Sequence, residues 1–77
     1  MLADIIKPLV LGTEKESWLV PGRDLNAYQK KRVFNEGLSI HKFTSLLFSD
    51  RDLIMTDVIK LCNIIGVEFK DVASEIS

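Results

Sequence analysis

Between residues 55 and 71 the chain allows few backbone solutions. Met55, Val58, Ile59, Cys62 and Ile65 recur at the three- and four-residue spacing of a helix with one buried face. Gly66 follows at once. A helix that buries Ile65 must turn sharply there, and glycine accepts the left-handed conformation of a C-terminal cap. Val67 and Phe69 open a second short amphipathic stretch that ends near Ile76. A helix, a Gly-Val turn and another helix make a unit that closes a small helical domain.

At 77 residues the chain can hold one domain and no more. One domain is therefore expected over residues 1–77. A chain of this length buries only roughly 60–65% of its unfolded surface, so an active site would compete with the core. Binding is a more natural role than catalysis. The net charge of −1 is unevenly spread. Arg23, Lys30, Lys31, Arg32 and Lys42 against Asp24 and Glu36 give residues 23–45 a local +3. Arg51, Lys60 and Lys70 against Asp50, Asp52, Asp57, Glu68, Asp71 and Glu75 give residues 50–77 a local −3. Such a dipolar chain can present a basic face to phosphate, or simply solvate its helices. The single cysteine, Cys62, falls on the apolar face of the 55–65 helix and reads as a core residue. No apolar run reaches the ~18 residues of a membrane span. No basic leader or cleavage site stands at the N-terminus, so a cytoplasmic protein is expected.

Upstream, Leu2, Ile5, Ile6, Leu9 and Val10 fit one helix face, with Asp4 as a candidate cap. Pro8 interrupts that pattern, and an extended pairing of Pro8–Leu11 with Ser17–Val20 is the alternative. Residues 12–24 read as a connection with a turn at Pro21-Gly22, and Trp18 and Leu19 as its anchor on the core. Asp24 or Asn26 caps a helix to about Asn35, with Leu25, Tyr28 and Val33 inward and Gly37 at its end. Ser39 caps the next, Ile40 to about Phe48, with Phe43, Leu46 and Leu47 inward. Ser49–Asp52 is a polar break. Thr56 or Asp57 stands at the start of the 55–65 helix, where a cap and a negative charge both favour the N-terminus. The fold class is all-α, with four or five short helices.

Residues 25–73 resemble the lambda-repressor/Cro-like, XRE-type helix-turn-helix family. The run Ile54-Met-Thr-Asp-Val-Ile-Lys-Leu-Cys-Asn-Ile-Ile-Gly-Val-Glu-Phe-Lys-Asp-Val72 matches the family's fourth helix, Gly-Val turn and fifth helix. Leu38-Ser39 matches the turn residue and cap before a recognition helix. Phe43 lies at that helix's inward position, and Met55 comes 12 residues later, the family's usual interval. The match departs at Lys30 and Lys31, where the family has a Leu-Ala pair, at one or two extra residues before Gly37, and at residues 12–24, which form an insertion or replace the end of the family's first helix. In a second register, Ser39–Phe48 is the family's second helix, and few residues remain before Met55 for a recognition helix.

In the first register the resemblance implies a recognition helix at 40–48 that enters the major groove. Ile40, His41, Lys42, Thr44 and Ser45 would face outward and Ser39 would meet a phosphate. His41, Lys42 and Ser45 would donate to base edges, and the Thr44 methyl would meet a thymine. Lys30, Lys31 and Arg32 would serve phosphates. The plain alternative is that Ser39 only caps and the charged residues only solvate. That helix has no Arg or Gln for bidentate reading.

His41 and Cys62 stand alone, so neither a metal site nor a cofactor is expected. Asp50 and Asp52 read as solvated charges. His41 and Ser45 have no orienting acid, so an enzyme is not expected.

The implied function is a small DNA-binding transcriptional regulator of phage or mobile-element type, bound to double-stranded operator DNA as a homodimer. Val72 and Ile76, four residues apart, would form the dimer face. The second reading keeps the fold and changes the partner. It is a protein-binding module, such as a phage antirepressor that engages a repressor or an anti-CRISPR-type inhibitor.

Overall fold

The computed structural model describes residues 1–76. Five α-helices follow in order: α1 (Leu2–Val10), α2 (Ala27–Asn35), α3 (Ile40–Phe48), α4 (Met55–Ile65) and α5 (Phe69–Ile76). Two short 3-10 turns, Glu14–Trp18 and Gly22–Asp24, lie between α1 and α2. The architecture is all-α, as the periodicity predicts. Among the described residues no helix is long and apolar enough to cross a membrane.

α2 and α3 start on side-chain caps and α4 stops on a glycine, whereas α1 and α4 start at Met1 and Ile54 without one, so neither Thr56 nor Asp57 caps α4. α1 contains Pro8 in its last turn, which removes one backbone donor yet leaves the helix intact. Asp4 lies inside the first turn of α1, and Met1 precedes the helix, so Asp4 is not its cap. α2 opens with a reciprocal capping box. Asn26 Oδ1 accepts from the Gln29 amide at 2.8 Å and Gln29 Oε1 accepts from the Asn26 amide at 3.0 Å. Asn26 is thus the cap, while Asp24 belongs to the preceding 3-10 turn. Ser39 Oγ accepts from the Lys42 amide at 3.0 Å to start α3. α4 ends on Gly66, at φ 88° and ψ 37°. The Gly66 and Val67 amides both donate to the Cys62 carbonyl, at 2.8 and 3.1 Å. This satisfies a carbonyl that the helix end would otherwise leave open.

The core draws on every helix. Ile6 and Val10 of α1, Val33 of α2, Phe43, Leu46 and Leu47 of α3, Val58, Leu61, Cys62 and Ile65 of α4, and Val72 of α5 are buried in one cluster. Trp18 joins them from the connection and meets Phe43 edge-on, ring centroids 5.8 Å apart. α1 packs on α3 and α5, and α2 packs on α3 and α4.

Several faces differ from the sequence expectation. Tyr28 is 65% exposed because α2 turns Gln29 and Val33 inward, which leaves residue 28 pointing away. Met55 and Ile59, at 40% and 41%, lie on the outer edge of α4, whose buried face is Val58, Leu61, Cys62 and Ile65. Phe69 is only half-buried. Val72 is fully buried, because α5 folds back on α1 and α4. Its side chain is therefore not available to a second copy, and the expected dimer face loses its centre. Ile76 is half-buried against the same core.

Two outcomes test this packing. Phe43→Ala should cost about 3–5 kcal/mol, read as a lower urea midpoint with little change in slope. Burial pushes the Cys62 thiol up to about 11. At pH 8 it should react with a disulfide reagent only as fast as the domain opens, and the rate should rise with urea through the unfolding transition.

Candidate nucleic-acid interface

α2 and α3 are nine-residue helices joined by residues 36–39. Gly37, at φ 87°, makes the turn between them possible. This places Lys30 and Lys31 on the exposed side of α2 and His41 on the exposed side of α3. Among the described residues, neither lysine has an ion-pair partner.

The remaining expected contacts are engaged within the domain. Arg32 Nη2 donates to the carbonyls of Asn63 and Ile64, at 3.1 and 3.2 Å. It therefore serves the C-terminal end of α4, where unpaired carbonyls and the helix dipole favour a cation. Lys42 Nζ lies 3.1 Å from Asp57 Oδ2. Asp57 is itself buried, and Oδ2 has no aligned hydrogen-bond donor, so this contact is ionic. Removing the ammonium would leave a buried charge uncompensated, which ties Lys42 to α4. Ser45 Oγ accepts from Arg51 Nη1 at 3.1 Å and shares a hydrogen bond with Ser49 Oγ at 3.2 Å. The Ser39 hydroxyl is occupied by its own helix cap.

Ile40 and Thr44 do not face solvent freely. The Gly22–Asp24 turn packs on α3 at this point. A Cβ on Gly22 would sit 2.5 Å from Thr44 Oγ1 and 2.7 Å from Ile40 Cγ2. Gly22 is buried, and Thr44 Oγ1 is enclosed without a hydrogen-bond partner. The connection thus lies across the side of α3 that the resemblance assigns to base contact. Nothing in the local sequence of α3 signals this cover, because its residues come 18 to 22 positions earlier in the chain. Pro21-Gly22 signals a turn, but not the surface on which the turn rests.

The sequence carries no local signal for a second feature. An open cleft of about 580 Å³ lies between the Glu14–Trp18 turn, α2 and the end of α4. Lys15 Nζ donates to the Gly66 carbonyl at 2.6 Å on one side, and Arg32 stands on the other. Gln29 Nε2 holds the turn to α2 through Ser17 Oγ at 3.2 Å. Among the described residues no three of His, Cys, Asp and Glu come together as metal ligands.

No family model matches this chain, and no curated protein or solved structure matches it either.

The tight seat of Gly22 is open to direct measurement. Gly22→Ala forces the turn or α3 to move, because Ile40 and Thr44 sit on a packed helix. It should destabilise the fold by about 1–3 kcal/mol, measured by urea denaturation. A neutral or stabilising effect would mean that the turn does not rest on α3.

Proposed function

We propose that the protein is a protein-binding module on a helix-turn-helix-like scaffold, of the antirepressor or inhibitor kind, and that its target is another protein. The observation that carries this reading is the seat of Gly22 against Ile40 and Thr44. A recognition helix needs its outer face free to enter a groove about 12 Å wide. Here one side of α3 is covered, and Lys42 and Ser45 have intramolecular partners. The second register leads to the same place. With α3 as the second helix, residues 49–54 would have to supply the reading helix, and they are not helical. The absence of Arg and Gln from α3 also favours a protein partner.

One observation favours the operator-binding reading. Lys30, Lys31 and His41 are exposed, and a phosphate backbone asks for little more than free cations. A titration of labelled duplex at low and physiological salt separates the two. A protein-directed module should bind any duplex more weakly than about 10⁻⁴ M at physiological salt. A DNA reader would show a steep salt dependence, and Lys30→Ala with Lys31→Ala would flatten it on every sequence. That second outcome would overturn the protein-binding reading.

A further inference from the structure

We propose that the solvent face of α2, with the cleft beside it, docks an acidic segment of a protein partner. This deepens the protein-binding reading above and rests on it. The docking face is the ridge Tyr28, Lys31 and Phe34, flanked by Lys30, and the cleft supplies Arg32 and Lys15.

The ridge follows from helix geometry. Residues 28, 31 and 34 are three apart, so their side chains line one oblique row along the surface of α2. Phe34 is 77% exposed and Tyr28 65%, the highest values among the large apolar side chains. Both stand on one nine-residue helix. Tyr and Arg are among the residue types that dominate binding energy in protein interfaces, and Phe is enriched there. They add large contact area at little cost in side-chain freedom.

Charge selects the partner. α2 carries Lys30, Lys31 and Arg32 and no acidic residue. In the cleft, Arg32 is held by Nη2 alone, so its Nη1 and Nε protons remain to be donated. Lys15 bonds a single carbonyl and keeps further donors. Both cations are fixed by main-chain carbonyls, which lowers the entropy cost of meeting a carboxylate. Against them stand Glu14 on the cleft wall and roughly half an elementary charge from the end of α4. Ridge and cleft together keep a positive surplus.

Other occupants fit less well. A second copy placed across a two-fold axis would set Lys30 and Lys31 against their own equivalents. A duplex would pair with the lysines but offer no pocket to Phe34. An acidic segment with an apolar side chain meets both demands. Its carboxylate lies beside Arg32 in the cleft, its apolar group covers Tyr28 on the cleft's edge, and the segment continues across Lys31 toward Phe34.

The test is an amide-resolved NMR titration of the full chain with three probes. These are a synthetic helical peptide of Glu and Leu, its Gln-for-Glu counterpart and a random DNA duplex. The Glu peptide should shift amides of α2 and of residues 63–66, and the Gln peptide should not. Phe34→Ala with Lys31→Glu changes only exposed positions and should weaken the Glu peptide roughly tenfold, which is about 1.4 kcal/mol. Arg32→Lys keeps the positive charge at the end of α4 but loses the planar fork, and should weaken it several-fold. Shifts confined to another face would overturn this docking surface and leave the protein-binding reading standing. No shift at millimolar peptide would also overturn the surface. Shifts at Lys30 and Lys31 with duplex, and none with peptide, would overturn both.

Discussion

The edge-on contact of Trp18 with Phe43 holds the connection between α1 and α2 to the rest of the domain. Phe43 is the centre of the inner face of α3, and Trp18 reaches it from the end of the Glu14–Trp18 3-10 turn. A connection of this length would otherwise be exposed and variable. Once Trp18 is buried, the residues just after it must run along α3. Gly22 then meets Ile40 and Thr44 because no side chain stands in the way. The partial closure of α3 is therefore a consequence of core packing in a chain too small to leave an aromatic unused.

A count of charges in the 23–45 segment overstates what a partner would meet. Lys42 compensates a buried carboxylate, and Arg32 commits one of its nitrogens, Nη2, to the end of α4. Outside the segment, Arg51 is bonded to Ser45 and Lys15 gives one of its protons to the Gly66 carbonyl. Arg23 remains on the Gly22–Asp24 turn, and Lys30 and Lys31 remain on α2, the helix that also carries the exposed Tyr28 and Phe34. The dipolar sequence thus resolves into a narrow basic and aromatic strip.

Local signals in the sequence were legible, and signals that depend on distant partners were not. Ser39 as cap, Gly66 as left-handed terminus and the limits of α3 and α4 all rest on residues within one turn of each other. The core role of Phe43, Cys62 and Trp18 followed from their positions on apolar faces. The apolar stripe of α4 was read one edge too wide, because Met55 and Ile59 flank the buried face. The apolar character of Tyr28 predicts an inward position, but Gln29 and Val33 set the phase of α2 and leave it exposed. Gln29 is buried because its amide serves both the capping box and Ser17, a role that hydropathy does not reveal. For Val72, the spacing to Ile76 was correct but the partner surface was the chain's own core. The cover on Ile40 and Thr44 and the engagement of Lys42 and Arg32 are contacts between segments far apart in sequence.

The bond from Lys15 to the Gly66 carbonyl joins residues 51 positions apart, and those from Arg32 reach the same helix end across 31 and 32. α4 and its glycine terminus can form from neighbouring residues alone. The carbonyls of its last turn receive these cations only after the N-terminal third and α2 have both arrived. Closing such long loops costs chain entropy before any contact repays it. The end of α4 therefore acts as a register of completion. While the N-terminal segment is unfolded, the terminal carbonyls of this 11-residue helix face water, and fraying should begin there.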